Sequence, residues 1–502
     1  MDFITELMSA FWSLFTLENL GFIILGTFIG VIVGALPGFA SGNALAIMLP
    51  MTVMFEPAAA LIFMSALYMG SAYGGSITAI LINTPGTPDA TVTALDGYPM
   101  SQKGMADQAM GVSLGASCLG GLLSVVMVVL VIQPMSRLTM AFGPYEMFAV
   151  GIFGLSIIAV ILGGDPLKGL ASGLLGMLFA AMGADPAKGM PRLTFGIIQL
   201  YDTMEFVPAV IGMFAFSEFM FMMNNKQVAS ELMESKKIGN FKNILQGVMM
   251  VIKRPLAVLR ASLIGFVVGV IPGMGMTVAT FASYGIAKNT DKHPERFGTG
   301  VPEGLIAAEG CNNAVVSGSL VPTFALGIPG SSTTAVMMAA LMLHGIVPGP
   351  ELMKQYGFEV YQVFGCLFLA IIIMFAIGFF LAKWLSKITM IPNNLLIPIV
   401  CVLIVLGAYA CRQVFFDVIL MLFFGLLAYM MRKQGYPPVP LLLGLIIGPT
   451  VESNMMRVLK MCRGDYWTIF TASPICIVIW LAVLASLSLP FILNMKKAKK
   501  NK

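Results

Sequence analysis

Charge is scarce in this chain. Of its 502 residues, 11% are Asp, Glu, Lys or Arg, whereas a soluble domain carries roughly 25%. So little charge cannot cover a water-facing surface, which excludes an ordinary soluble enzyme. Histidine is scarcer still, with only His293 and His344. There is no H-E-x-x-H pair and no Walker-type loop. ATP binding by a recognisable motif is thus absent, and any work the chain does would draw on an ion gradient or a partner. The cysteines (Cys118, Cys311, Cys366, Cys401, Cys411, Cys462 and Cys476) are scattered, mostly in apolar runs, without the spacing of a zinc or redox motif. They read as small apolar side chains of a helix bundle. No nucleophile or metal set stands out at membrane depth, so no enzymatic activity, cofactor or nucleic-acid partner is expected. Basic side chains are missing from the whole N-terminal stretch; the first is Lys103.

Apolar sequence fills the space that charge leaves. Hydrophobic residues make up 58% and the mean hydropathy is +0.91. A helix needs about 20 apolar residues to cross a bilayer. The runs therefore predict an all-α polytopic membrane protein of roughly eleven or twelve segments. A barrel is excluded, because barrel strands are short and alternate apolar with polar. Residues 1–19 are acidic rather than basic and lack a small-residue cleavage site. Phe3, Leu7, Phe11, Leu14 and Phe15 share one helical face, which fits an interfacial amphipathic helix or packing on the bundle. The stretch 224–256 holds Lys226, Lys236, Lys237, Lys242, Lys253 and Arg254, and the tail 496–502 is also basic. Positive loops stay cytoplasmic, so both are expected there, with 224–256 linking two membrane halves, 20–223 and 257–495.

The halves share a pattern. IGVIVGALPG at 29–38 matches IGFVVGVIPG at 264–273, and a second block, YGGSITAILINTPGTPDA at 73–90, matches SGSLVPTFALGIPGSSTTA at 317–335. Gly30, Gly34, Pro37 and Gly38 thus align with Gly265, Gly269, Pro272 and Gly273, and Gly74, Pro85 and Gly86 with Gly318, Pro329 and Gly330. A short insertion in the second half is expected within 288–305. Two internal repeats of this kind are a recurring plan among secondary transporters. Whether they are inverted or parallel stays open at this level. So does 20–50: a continuous helix of that length would reach about 46 Å, which favours a re-entrant hairpin.

Each Pro-Gly pair stops a helix, since proline lacks an N–H and glycine accepts unusual dihedrals. At membrane depth the freed backbone groups must be buried in protein or line a wet cavity. The flanks carry hydroxyls and amides: Ser41 and Asn43 at the first break, Ser76, Asn83, Thr84 and Thr87 at the second, Thr277 at the third, and Ser331, Ser332 and Thr333 at the fourth. Such residues cap helix N-termini, whose N–H groups and dipole attract an anion. Gly86 and Gly330 would let backbone approach the ligand. A sodium ion could be held near Asn83, Asp89, Asn312 and Asn313, beside helix C-terminal carbonyls. Asp96 reads as part of a turn, Asp165 and Asp185 as caps of short turns, and Glu309 as a candidate proton or cation site.

YGGS at 73–76, the run Ile80-Leu81-x-Asn83-x-Pro85-Gly86, the pair Asp96-Gly97 and the Gly-x-Leu/Ile-Pro-Gly breaks resemble the large membrane subunit of the tripartite tricarboxylate transporters, the TctA family. The match rests on Tyr73, Gly74, Gly75, Ser76, Asn83, Pro85, Gly86, Asp96 and Gly97, then on Pro272, Gly273, Gly275, Pro329 and Gly330. The resemblance spans about 20 to 450. It implies a permease of the bacterial inner membrane, working with a small TctB-like membrane subunit and a periplasmic TctC-like solute-binding protein. It also implies uptake of a carboxylate coupled to Na⁺ or H⁺, with inverted repeats and an elevator-type motion. An anion channel or passive pore is the alternative. Two positions depart from the family's habit: Ala40 stands where many members have glycine, and Thr87 where many have an acidic residue, with Asp89 two places on.

Overall fold

The computed structural model describes residues 3–36, 39–162, 165–185, 189–201, 204–224, 239–384 and 393–500. The helices are α1 (Phe3–Ser13), α2 (Leu17–Gly34), α3 (Ser41–Met48), α4 (Pro57–Ile82), α5 (Thr91–Gln102), α6 (Ala106–Met140), α7 (Pro144–Leu162), α8 (Pro166–Ala180) and α9 (Phe206–Met223). After the basic stretch come α10 (Phe241–Ile252), α11 (Pro255–Val270), α12 (Gly275–Thr290), α13 (Pro302–Leu326), α14 (Ser332–Leu343), α15 (Gly357–Phe380), α16 (Asn393–Ala410), α17 (Phe415–Lys433), α18 (Pro438–Met461) and α19 (Pro474–Lys500). Among the described residues the strands are one short antiparallel pair, with Gly183 opposite Arg192 and Ala184 opposite Pro191.

Among the described residues, 7 helices are long and apolar enough to cross a membrane: α2, α4, α6, α9, α15, α17 and α18. The eleven or twelve spans expected from sequence are therefore not that many full-length helices. Proline and glycine cut several apolar runs into shorter pieces, such as α3, α11 and α14. The chain is an all-α, multi-pass membrane protein.

Glycines set how the central helices meet. Gly26, Gly30 and Gly34 recur every fourth residue on α2 and so share one face. A Cβ on Gly30 would lie 2.4 Å from the Leu67 carbonyl, and one on Gly74 would lie 2.4 Å from that of Val31. The contacts climb both helices together, so α2 and α4 run parallel. α11 and α13 repeat the arrangement, with Gly265 against Cys311 and Gly269 against Ser319. Small residues let membrane helices approach this closely.

Parallel neighbours require the chain to double back between them. Phe55 packs on Phe22 at 4.7 Å, so the segment after α3 returns to the start of α2. The 20–50 stretch is thus a hairpin, the arrangement its length favours. In the second half, Arg260 near the start of α11 donates to Thr290 at the end of α12 at 2.6 Å, closing a matching hairpin.

Other expectations fare unevenly. Asp165 caps α8, accepting from the Leu167 N–H at 3.0 Å. Asp185, expected to cap a similar turn, pairs with Arg192 at 3.5 Å, and the following residues 186–188 lie outside the described set. Asp96 is not in a turn. It sits inside α5, fully buried, where it binds the loop before α13. Within the basic stretch, 225–238, with Lys226, Lys236 and Lys237, lie outside the described residues, but 241–252 form the packed helix α10. Its buried face of Ile244, Gly247, Val248 and Val251 meets α6, while Lys242 and Lys253 face outward. Helix α1 packs on α15 through Phe3 with Tyr361 (5.6 Å) and Phe11 with Phe368 (6.0 Å), and exposes Ile4, Met8 and Trp12.

Candidate functional site

Four helix interruptions meet near the centre. Pro37 and Gly38 of the first lie outside the described residues, but its flanks are described. Helix α3 opens at Ser41, which is buried with its Oγ unpartnered, and Asn43 is buried two residues further. At the second, α4 ends on Asn83, which adopts a left-handed conformation (φ 54°). Asn83 and Thr84 are exposed, Pro85 is half-buried, and Gly86 and Thr87 are buried. Thr87 donates to Asp89 at 3.0 Å. At the third, Pro272 and Gly273 separate α11 from α12, and Thr277 is half-buried. At the fourth, α13 ends on left-handed Gly327, and Pro329 and Gly330 lead to Ser331. Ser331 forms a capping box with Thr334, each side chain accepting from the other's backbone N–H at 3.1 and 2.8 Å. Thr333 is buried and Ser332 half-buried.

These segments close into a ring. The first and second touch where Gly86 rests on the Gly34 carbonyl; a Cβ there would lie 2.2 Å away. The second meets the third through Thr280, which donates to the Asp89 carbonyl at 3.4 Å. The third meets the fourth through the Gly273 N–H, which donates to the Gly330 carbonyl at 3.1 Å. The fourth meets the first where Gly42 lies against Ser332 and Thr333; a Cβ added to Gly42 would lie 3.6 Å from the Thr333 Cα. The N-terminal turns of α3 and α14 therefore adjoin, and neither helix carries a charged residue.

Two interruptions share their backbone design. Asn83 and Gly327 are both left-handed helix ends, 244 residues apart in sequence. Gly86 folds back on Gly75, its N–H donating to the Gly75 carbonyl at 3.1 Å, and Gly330 folds back on Ser319, whose Cα would be 2.7 Å from an added Cβ.

Not every expected residue joins the ring. Ser76 points elsewhere and donates to Glu309 at 2.6 Å. Of the sodium candidates, Asn312 lies beside Asp89, with its Oδ1 buried and unpartnered and its Nδ2 donating to the Ala72 carbonyl at 2.8 Å. Asn313 turns instead toward the sulfurs of Met69 and Met374. Asn83 faces out, so the four do not form one cluster.

Tyr68 is a site neighbour that sequence reasoning missed. It is buried on α4, and its hydroxyl lies 3.2 Å from Ser319 Oγ and 3.3 Å from Ser331 Oγ. Nothing in its local sequence marks it. Ser319 could have been found, because it precedes Gly330 by the same interval as Gly75 precedes Gly86. We expect Tyr68→Phe to fold normally and to raise the apparent KM for substrate severalfold, about 1 kcal/mol for the lost contacts. An unchanged KM would show that Tyr68 does not hold the α14 end in place.

A multi-pass helical membrane protein whose broken helices converge in its interior belongs to the class of membrane transporters. Residues 20–443 match the family model described as the tripartite tricarboxylate transporter TctA family. The chain belongs to that family, the transporter permeases of tripartite systems. It is 34% identical over 480 residues, covering 95% of this chain and 93% of the relative, to an "uncharacterized 52.8 kDa protein in TAR-I ttuC' 3'region" of Agrobacterium vitis. An "uncharacterized protein in TAR-II ttuC' 3'region" of the same organism is 36% identical over 216 residues, covering 42% of this chain and 87% of the relative.

Proposed function

We propose that this chain is the large permease subunit of a three-part system that takes up a small tricarboxylate or dicarboxylate across a bacterial inner membrane, driven by Na⁺ or H⁺. The observation that carries this reading is the ring of interruptions, with the N-termini of α3 and α14 side by side. Aligned N–H groups at those turns, with the unpaired Ser41 hydroxyl, are suited to a carboxylate. The substrate would lie between Ser41, Asn43, Thr84, Gly86 and Thr87 on one side and Thr277, Gly330, Ser331, Ser332 and Thr333 on the other. Asp89 and the unpartnered Asn312 Oδ1 supply oxygen for a cation, and hard oxygen ligands suit Na⁺.

The reading includes two inverted repeats, 20–223 and 257–495. Helices α2 and α11 each begin a hairpin that lies parallel to the following long helix. Helices α4 and α13 run antiparallel, since Ser76 meets Glu309 while Tyr68 meets Ser319, so the second hairpin would enter from the opposite side. With the basic stretch in the cytoplasm, the C-terminus is cytoplasmic too. The hairpins and interruptions would move together as an elevator against the rest. A small membrane subunit and a periplasmic binding protein complete the system.

The test is uptake of labelled citrate and succinate by proteoliposomes holding the full three-part complex. Accumulation above the outside concentration is expected only with both an ion gradient and the binding protein. Equilibration without a gradient would replace the permease reading with a passive pore.

A further inference from the structure

Glu309 sits on α13 with 0% exposure. Four hydroxyls from three other helices surround its carboxylate. Ser76 of α4 donates at 2.6 Å, Ser117 and Ser113 of α6 at 3.0 and 3.2 Å, and Thr93 of α5 binds the other oxygen. Among the described residues no Lys, Arg or His pairs with it. Of the titratable groups on the packed elements, Tyr73 on α4 is near enough to feel both Glu309 and Cys118 on α6, while Asp96 on α5 and Tyr284 on α12 are engaged with each other. Cys311 lies on α13 itself, and Asp89 lies in the 88–90 segment. Arg254, which reaches the start of α13, is occupied there by Glu303 at 2.6 Å.

An unpaired carboxylate inside a membrane protein costs several kcal/mol, so packing alone does not account for it. An ionised carboxylate accepts roughly four hydrogen bonds, which the four hydroxyls supply. Each hydroxyl can also turn and accept, so the same ring fits the protonated acid. The hydroxyls bond the carboxylate directly, and α13 packs tightly on α6 beside them: a Cβ added to Gly120 would lie 2.3 Å from the Gly310 carbonyl. The ring is also tied to the substrate region. Ser76 adjoins Gly75, on which Gly86 rests; Thr93 follows Asp89 by one turn; Asn312 follows Glu309 by one turn.

We infer that Glu309 carries the proton that is co-transported with the carboxylate. This rests on the permease reading above. Hydronium in the water reaching the ring from one side gives up a proton: its O–H bond breaks and leaves water, an O–H bond forms on a Glu309 oxygen, and one ring hydroxyl turns to accept from it. After the hairpins move, the O–H bond breaks and the proton leaves to water on the other side. A movement of the 83–93 segment against α13 changes the hydroxyl ring, which links proton affinity to substrate.

The experiment compares wild type with Glu309→Gln in the full complex in proteoliposomes. Glutamine keeps the polar clamp between the helices but cannot exchange a proton. Wild type should carry protons inward with labelled citrate or succinate, read by an internal pH dye. A one-unit pH gradient supports about tenfold accumulation at one proton per substrate. The variant should lose that accumulation and proton entry while retaining substrate exchange above the level of empty liposomes. Infrared spectra of wild type should show a protonated carboxyl band, sensitive to pH, that Glu309→Gln removes. Gradient-driven accumulation by the variant with wild-type pH dependence would overturn the inference, as would wild-type uptake with Na⁺ and no proton entry. Should wild type take up neither substrate under any gradient, the permease reading fails instead, and the infrared band alone decides whether Glu309 binds a proton.

Discussion

Uptake of labelled citrate falls to background when Gly86 or Gly330 is replaced by valine, while the protein still reaches the membrane. A Cβ on Gly86 would lie 2.2 Å from the Gly34 carbonyl and 2.8 Å from the Gly75 Cα; on Gly330 it would lie 2.7 Å from both the Ser319 Cα and its carbonyl oxygen. These are backbone atoms of long, tightly packed helices, so a rotamer change cannot relieve the clash. The loop carrying the substituted residue must lift, at a cost of about 1–3 kcal/mol by the usual scale of overpacking. A lift at Gly86 shifts Thr87 and Asp89, and one at Gly330 shifts the Ser331 cap and the N–H groups of α14. Normal uptake by both variants, measured beside equal amounts of membrane protein, would remove these breaks from the site. Alanine tests the same point more gently, since its single carbon meets the same backbone atoms.

The Pro-Gly interruptions were legible in the sequence because they violate a local rule: proline and glycine do not belong inside a membrane helix without a purpose. The duplicated spacing ties Gly86 to Gly330 without any knowledge of the fold. The ring itself was not legible. That Gly42 meets Thr333, or that Thr280 reaches Asp89, depends on each hairpin lying against the other half's interruption, and such pairings between distant segments leave no local signal. Ser76 illustrates the limit. Its place beside the second interruption suggested a ligand contact, yet the helical rotation of α4 turns its hydroxyl to Glu309. The helix count misled for a related reason. Hydropathy registers apolar length, whereas proline and glycine divide that length into hairpins and half-helices.

Asp96 carries the second large effect, and here it is stability that should respond. Its Oδ1 accepts from the N–H groups of Gly298, Gly300 and Val301 at 3.0, 2.7 and 3.0 Å, and its Oδ2 accepts from the Tyr284 hydroxyl at 2.8 Å. The side chain is fully buried. One residue of α5 thereby holds the loop that leads into α13. Lys103 strengthens the link by donating to the Thr299 carbonyl at 2.6 Å. Asp96→Ala strips partners from three backbone donors and a hydroxyl at once. With about 1–3 kcal/mol for each buried group left unsatisfied, and some regained from water, the loss should be about 3 kcal/mol or more. It should appear as a clear drop in melting temperature in detergent. Asp96→Asn keeps one oxygen for the loop and should lose much less, because the Tyr284 hydroxyl can turn to accept from the new amide. An alanine variant that melts with the wild type would mean that the loop holds its shape without Asp96. If stability falls as expected, uptake should fall with it, because α5 follows the second interruption directly and its anchor sets where Thr87 and Asp89 stand.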